Sequence, residues 1–337
     1  MPSAASQARS YRIPDLRSLC PWKASFNPNY DDASLGSSQW VLQYVHAAIP
    51  SKERIPFFEQ KGSELLAAWT YPYADLEQLR TCCDFLNLLF VIDEVSECQG
   101  GRDAQATGAT VLSTMKDATY DDGTVICKMV KDFKERLFPH IGPESHHRFI
   151  QEFERYLRTV TREAQLREEH TIPDLASYTH LRRGTSAALL CFELFSYLFK
   201  SELPNQVYHH PVLHELSFAA DDMISWANDV YSYRLELSRG QPGSNVLSVL
   251  QQEMGVTLQD AADYVGLHFK ELVAKYEAGK ARMPSFGEDV DLLILQFYTL
   301  MECWVVGNIE WSFETGRYFG KDSAKVQATL IVELSVS

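Results

Sequence analysis

The sequence has little positive charge for its length of 337 residues. Its 31 lysines and arginines stand against 45 aspartates and glutamates, which leaves a formal net charge of −14. So acidic a chain is poorly suited to bind nucleic acid or an anionic membrane surface, and we expect neither partner. The net charge does not exclude a small anionic substrate, because a metal ion can reverse the charge of a site locally.

The sequence also contains no CxxC motif, and we expect no secretory signal. Seven cysteines are an odd number and show no CxxC spacing, which favours free thiols in a reducing compartment and predicts a cytoplasmic protein. The segment from Met1 to Tyr11 is polar and has no apolar centre. Glu193 interrupts the best apolar run, Ala187 to Phe199, so we expect no membrane span.

Strand signals are scarce as well. There is no sustained period-two alternation and no Asn-Gly hairpin signal, whereas apolar residues recur at helical spacing from Leu35 onward. The pattern predicts an all-α fold of roughly ten helices. We expect one helical domain over residues 35–325, an extended proline-containing arm over 1–34 and a C-terminal tail over 326–337.

The first polar cluster, Asp93 to Glu97, follows an apolar helical stripe that includes Leu86 and Phe90. Asp93 and Glu97 are four residues apart, so a helix places both carboxylates on one face. A carboxylate pair on an apolar stripe is costly unless it is solvated, paired or bound to metal. Spacing alone leaves a solvated helix end and a metal site both open.

The second polar cluster contains Asn228, Ser232 and Glu236, which follow one another at intervals of four residues. At ~100° per residue, their three oxygens lie within ~80° on one helix face. Amide, hydroxyl and carboxylate oxygens are hard ligands of the kind that Mg²⁺ prefers. An ordinary polar helix face would show the same spacing.

Together, the two clusters resemble the D(D/E)xx(D/E) and NDxxSxxxE motifs of class I terpene synthases. Two further features of that family have counterparts here. Arg182 lies 46 residues before Asn228, where the family carries an arginine that senses diphosphate, and Arg317-Tyr318 matches a C-terminal Arg-Tyr pair. The segment from Trp311 to Tyr318 resembles the sesquiterpene cyclases of mushroom-forming (basidiomycete) fungi.

The resemblance implies a helical bundle around a central cavity in which Mg²⁺ ions neutralise the diphosphate of an allylic substrate. Three ions are expected, with Asp93 as ligand on one wall and Asn228, Ser232 and Glu236 on the other. Glu94 and Glu97 are further candidate ligands beside Asp93. Without the metal, so acidic a cavity mouth should repel its substrate.

The resemblance also implies the residues that contact the substrate. Arg182, Arg317 and Tyr318 would donate hydrogen bonds to the diphosphate and assist its departure. Arg234 is a further candidate, since Leu235 stands where members often carry a lysine. Candidates for the wall that surrounds the carbocation are Phe90, Trp311, Leu86 and Trp304. The loop from Ser238 to Asn245 is either a cap over the cavity or an ordinary connection.

The expected activity is the cyclisation of farnesyl diphosphate to a sesquiterpene with release of diphosphate. A 1,11 closure toward humulyl and protoilludene skeletons is the first expectation, and a 1,10 closure toward cadinane-type products is the second. One alternative is an isoprenyl diphosphate synthase of the same fold, although its second aspartate motif would fall on Asp221 to Ser225, which ends in serine. The other is a catalytically silent helical binding protein. A homodimer is compatible with each of these functions.

Overall fold

The computed structural model describes residues 10–334, and α-helices account for nearly all of the regular structure in that range. The prediction of an all-α fold is confirmed. The α-helices are α1 (Leu16–Leu19), α2 (Tyr30–Ala48), α3 (Pro56–Glu59), α4 (Gly62–Thr70), α5 (Leu76–Ser96), α6 (Gly101–Lys116), α7 (Val125–Leu137), α8 (Pro143–Glu168), α9 (Leu175–Thr185), α10 (Ala188–Phe192), α11 (Phe195–Phe199), α12 (Asn205–Tyr208), α13 (Pro211–Ser238), α14 (Val246–Met254), α15 (Leu258–Lys280), α16 (Glu288–Glu314) and α17 (Ser323–Thr329). Short 3₁₀ helices cover Lys52–Arg54, Phe138–His140, Pro242–Ser244 and Gly320–Asp322.

Both ends of the described chain are more regular than the sequence pattern predicts. Helix α2 begins at Tyr30, within the expected arm, and α17 crosses the expected start of the tail at residue 326. Strand β1 (Ser10–Arg12) pairs antiparallel with β2 (Ile331–Glu333), which joins the arm to the tail. Strands of three residues are too short to show a period-two pattern, so the sequence gives no sign of them. The rest of the predicted arm and tail, residues 1–9 and 335–337, lies outside the described residues.

Helix α16 is a longer apolar segment than Ala187 to Phe199, the best apolar run identified from the sequence. By length and composition it could cross a membrane, with a mean hydropathy of 1.4 over an 18-residue window. Within the fold, however, 67% of that window is buried, and α16 packs against α4 and α13. Its apolar side chains therefore belong to the core of the helical bundle.

Two long helices place the polar clusters at the interior. Helix α5 starts with a capping box in which Asp75 and Gln78 satisfy each other's backbone amides, and it buries side chains on all sides along most of its length. Helix α13 starts with Pro211 in its first turn and packs between α15 and α16. The polar side chains near the C-terminal ends of both helices reach one common cavity.

Candidate active site

One cavity, of about 190 Å³, brings together most of the residues singled out in the sequence. Its polar lining comes from α5, α8, α9, α13 and the segment after α16, and its apolar lining from α4, α5 and α16. The predicted site residues that line it are Leu86, Phe90, Asp93, Glu97, Arg182, Asn228, Ser232, Glu236, Trp304, Trp311, Arg317 and Tyr318.

On the α5 wall, Asp93 and Glu97 face the cavity, whereas Glu94 does not. One residue of helix turns a side chain by ~100°, so Glu94 points into the protein, where its side chain is 0% exposed. There it accepts hydrogen bonds from Arg54 and, at 2.7 Å, from Nη2 of Arg317. The structure thus makes Glu94 an anchor for arginines and does not bring it to the cavity as a metal ligand.

Glu97 also pairs with arginine although it faces the cavity. Its Oε2 accepts a hydrogen bond from Arg54 and another, at 3.0 Å, from Nη1 of Arg239. Asp93 is the carboxylate of this wall whose side chain makes no such contact among the described residues. Asp93 is therefore the α5 side chain best placed to bind a cation.

On the α13 wall, Asn228 links the two sides of the expected diphosphate site. Its Oδ1 accepts a hydrogen bond from Arg182 Nη2 at 3.0 Å, and its Nδ2 donates one to the Tyr318 hydroxyl at 2.7 Å. Asp229, on the buried side of the helix, accepts from Arg182 Nε at 2.9 Å and from the Tyr178 hydroxyl. The guanidinium of Arg182 is thus held by two adjacent residues of one motif.

One turn further along α13, Ser232 donates a hydrogen bond to Oε1 of Glu236. Asn245 donates to the other oxygen, Oε2, at 2.9 Å, and also to the Asp229 carbonyl at 2.7 Å. Both oxygens of Glu236 are therefore held in place by neighbouring side chains. This arrangement orients the serine and glutamate oxygens before any cation arrives.

The two walls bring together buried carboxyl groups whose ionisation the protein alone disfavours. Burial, together with Glu97 and Glu94, raises the pKa of Asp93 to about 8. Burial and the nearby Asp229 raise the pKa of Glu236 to about 8. A divalent cation between the walls would favour the ionised form of both carboxylates, and the oxygen-only donor set fits Mg²⁺.

The predicted diphosphate contacts divide into two groups. Arg182, Arg317 and Tyr318 line the cavity together. Arg234 does not line it, because its guanidinium turns outward to the Tyr318 carbonyl, at 3.0 Å, and to Asp322, at 3.5 Å. Arg239 lies at the cavity instead, and the sequence reasoning missed it.

The apolar lining includes aromatic rings close to these charged groups. The guanidinium carbon of Arg317 lies 5.5 Å from the ring centroid of Phe90, and the rings of Phe90 and Trp311 have centroids 6.0 Å apart. The Trp311 Nε1 donates to the Gly62 carbonyl at 2.8 Å, and the Trp311 ring meets that of Tyr318 edge to face, with centroids 5.4 Å apart. Trp304 meets Tyr71 edge to face, with centroids 5.4 Å apart.

Several lining residues were not predicted, and they have different origins. Glu163 and Arg167 come from α8, in which no site residue was predicted from the sequence. Arg239, Gln241 and Ser244 come from the loop after α13, which the sequence left as either a cap or a connection. A charged residue or amide directly after a metal motif is the signal that could have found Arg239 and Asn245.

Two other acidic clusters are not arranged as second metal sites of this cavity. Asp222 accepts two hydrogen bonds from Arg183, at 2.7 and 2.6 Å, Asp221 contacts Ser186, and neither aspartate lines the cavity. Asp121, Asp122 and Cys127 lie close enough together to hold an ion. Both aspartates are exposed and already bind Thr124, Gly123 or Lys131.

Comparison with known proteins agrees with the family resemblance of the motifs at this cavity. Residues 84–275 match the family model described as terpene synthase family 2, C-terminal metal binding. The chain is 42% identical over 325 residues to the bifunctional terpene synthase Agr4 of Cyclocybe aegerita, covering 96% of this chain and 93% of that protein. It is 36% identical to the sesquiterpene synthase Agr5 of the same fungus, covering 97% and 76%.

A further relative carries a different name. The chain is 40% identical over 330 residues to linoleate 10R-lipoxygenase COP4 of Coprinopsis cinerea, covering 98% of this chain and 94% of that protein. Among solved structures, germacradien-4-ol synthase of Streptomyces citricolor superimposes with a TM-score of 0.75 at 20% identity, covering 87% and 96%, a likeness of fold. Because the family model matches more than half of the chain and relatives of 36% and 42% identity cover nearly all of it, the chain belongs to the terpene synthase family and is a lyase of that kind.

Proposed function

We propose that the protein is a Mg²⁺-dependent sesquiterpene cyclase that acts on farnesyl diphosphate. The observation that carries the proposal is the meeting of Asp93 and the Asn228, Ser232 and Glu236 face at one cavity that also has an aromatic wall. The name of the relative Agr5, a sesquiterpene synthase, supports a fifteen-carbon substrate. A three-ion cluster is part of the proposal, with Asp93 on one side and the α13 residues on the other.

Each group of side chains has a role in ionising the substrate. Mg²⁺ bound at these oxygens would supply Lewis-acid charge to the diphosphate. Arg182, Arg317 and the Tyr318 hydroxyl would donate charge-assisted hydrogen bonds to its oxygens, which stabilises the negative charge as the carbon–oxygen bond breaks. Arg317 must first exchange its hydrogen bond to Glu94 for one to the diphosphate, or share it.

The apolar side chains then act on the carbocation. Phe90 and Trp311 line the cavity together with Arg317 and Tyr318, and cation–π attraction can stabilise a desolvated positive charge by ~2 kcal/mol or more per ring. Leu86 and Trp304 line the same cavity and would shape the folded hydrocarbon chain. Exclusion of water protects the carbocation from capture until it cyclises.

The product is proposed from the family resemblance. A 1,11 closure is the first choice and a 1,10 closure the second. Free-energy differences of ~1 kcal/mol between the competing transition states decide the product ratio. We also propose a cytoplasmic enzyme, supported by seven cysteines that are all unpaired. We also propose a homodimer, and analytical ultracentrifugation of the purified protein would measure its mass in solution.

A decisive experiment incubates the purified protein with Mg²⁺ and geranyl, farnesyl or geranylgeranyl diphosphate in turn. Extractable hydrocarbons are analysed by gas chromatography with mass spectrometry, and diphosphate release is measured in parallel. We expect cyclic C15 hydrocarbons from farnesyl diphosphate and none after chelation of the metal. Turnover of none of the three substrates would contradict the proposal, and longer diphosphates formed only with isopentenyl diphosphate would favour the elongating synthase.

The name of the relative COP4 suggests fatty-acid oxygenation as a second activity, but the cavity does not favour it. Iron in oxygenases is commonly held by histidine, and the described residues that line this cavity include no histidine. The donor atoms at the two motif walls are hard oxygens. We therefore do not propose lipoxygenase activity for this chain.

A further inference from the structure

A polar cluster lies beside the cavity at a distance from the metal motifs. It consists of Thr185, Ser186, Asp221 and Ser225. Thr185, Ser186 and Ser225 line the cavity, and Asp221 lies directly behind Ser186. Asp221 precedes Asn228 by seven residues, so it sits ~10 Å from it along α13, on the side away from Glu236.

The backbone presents Ser186 to the cavity through an interruption between two helices. Helix α9 ends at Thr185 and α10 begins at Ala188, with Ala187 in the left-handed region at φ 58°. A residue other than glycine rarely adopts that conformation without support from its surroundings. The Ser186 Oγ accepts a hydrogen bond from the Ala188 amide at 3.1 Å and lies 2.7 Å from Oδ1 of Asp221.

Asp221 is a buried carboxyl group with one oxygen unused. Its side chain is 0% exposed, and Oδ2 has no hydrogen-bond partner among the described residues, nor does the buried Oγ1 of Thr185. Buried polar atoms without partners are rare and call for an explanation, of which a catalytic role is one. The adjacent Asp222 differs in this respect, because both of its oxygens bind Arg183.

We propose that Ser186 and Asp221 form a proton relay that delivers a proton from Asp221 to an olefin held in the cavity. This inference rests on the proposed function, since the olefin would be a neutral intermediate of the cyclisation. The 2.7 Å contact is short enough to carry a proton in either direction. Ser186 would be the group that touches the hydrocarbon, and Asp221 would act through it.

The protonation state of Asp221 is consistent with a donor. Burial raises the pKa of Asp221 to about 8, against the opposing hydrogen bond from Ser186. Near neutral pH the carboxyl group therefore carries a proton. When Asp221 donates to the Ser186 Oγ, the Ser186 hydroxyl hydrogen is free to turn toward the cavity.

The step balances without any outside acid. A first carbocation loses a proton to the departed diphosphate and leaves a neutral cyclic olefin. The olefin π pair then forms a carbon–hydrogen bond with the Ser186 hydroxyl hydrogen, Asp221 replaces that hydrogen, and a new carbocation and an Asp221 carboxylate remain. When the final carbocation forms its double bond, its proton returns through Ser186 to Asp221. The net products are one terpene and one protonated diphosphate.

The test is turnover of farnesyl diphosphate by enzyme equilibrated in D₂O, with products analysed by mass spectrometry. Between turnovers the Asp221 proton exchanges with solvent, so we expect one deuterium in the wild-type terpene. In Asp221→Asn and Ser186→Ala we expect the labelled fraction to fall at least about tenfold, while a neutral, less cyclised olefin accumulates and diphosphate release persists. Asp221→Glu should restore part of the label.

Asp222→Asn is the matched control, because it changes the neighbouring carboxylate that binds Arg183 and faces no cavity hydroxyl. It should keep the label and the product pattern, and circular dichroism of all variants checks that each is folded. An unlabelled wild-type product, or full labelling in folded Asp221→Asn, would overturn the relay. A wild-type protein that releases no diphosphate would contradict the proposed function itself, so the two failures are distinguishable.

Discussion

The two walls of the cavity hold their oxygen atoms in different ways. On α5, Glu94 and Glu97 bind arginines, and Asp93 alone faces the cavity without such a partner. On α13, hydrogen bonds position all three motif side chains: Asn228 accepts one from Arg182 and donates one to Tyr318, and Glu236 accepts one each from Ser232 and Asn245.

The two walls therefore have different tasks, although both carry a motif that the family uses to bind metal. The oxygens of the α13 wall are oriented in advance, as the proposed set of ligands requires. The α5 wall provides one proposed ligand, Asp93, and an anionic anchor for guanidinium groups. Burial alone would raise the pKa of Glu94, but Arg317, Arg239 and Arg54 hold it below its ordinary value, so Glu94 stays ionised. The anchor thereby holds the guanidinium groups of Arg317 and Arg239 beside the cavity.

The largest expected effect concerns the α13 wall. Asn228→Ala or Glu236→Ala should lower kcat/KM for farnesyl diphosphate at least about a hundredfold, because each removes a proposed ligand and Asn228→Ala also removes a hydrogen-bond partner of Arg182. Circular dichroism should show unchanged helical content. Near-normal turnover in both variants would contradict the assignment of this wall to metal binding.

The second test compares residues within the α5 wall. Asp93→Asn should lower kcat/KM about a hundredfold, and Glu97→Gln only about tenfold, because Glu97 already binds Arg54 and Arg239. Steady-state kinetics at saturating Mg²⁺ measure both. If Glu97→Gln were the more damaging of the two, the division of this wall into one ligand and an anchor would be wrong.

A smaller effect is expected at Asn245, which holds Oε2 of Glu236 at 2.9 Å. Asn245→Ala should raise the Mg²⁺ concentration for half-maximal activity about tenfold, with a smaller change of kcat at saturating metal, because only the orientation of a ligand is lost. Ser238→Ala, at the C-terminal end of α13, is a suitable control, since that hydroxyl donates to the Leu235 carbonyl and does not line the cavity. An equal shift in both variants would argue against a specific role for Asn245.

The smallest effect is expected at Arg234. Its guanidinium contacts the Tyr318 carbonyl and Asp322 outside the cavity, so Arg234→Ala should leave kcat/KM within about threefold of the wild type. Arg182→Ala, which removes a guanidinium at the cavity, should cost at least about tenfold. Comparable losses in the two variants would show that Arg234 reaches the diphosphate after the enzyme closes.

What the sequence could predict depended on local periodicity. The spacing of Asn228, Ser232 and Glu236 determines one helix face, and α13 places all three at one cavity. The spacing of Asp93 and Glu97 determines another, and α5 extends just far enough to present it. The all-α fold was predicted from the helical spacing of apolar residues, which depends only on residues close together in the sequence.

What could not be predicted depends on contacts between distant segments. Arg54 binds Glu94 from a short 3₁₀ helix 40 residues earlier, and no local pattern relates the two. Glu94 and Asp93 are adjacent in sequence, yet only packing decides which one faces the cavity. The same holds for Arg234, whose direction depends on Asp322 and on the backbone of Tyr318.

The pairing of β1 with β2 has a consequence for the order of folding. The pairing closes almost the whole described chain into one loop, which costs conformational entropy. The two strands have only three residues each and are too short to be stable alone. We therefore expect the strands to meet only after the helices have packed. The hydroxyl of Tyr11, in β1, donates at 3.0 Å to the Val230 carbonyl, within the metal motif of α13. The helix that carries three of the four proposed ligands thus gains this contact among the last events of folding.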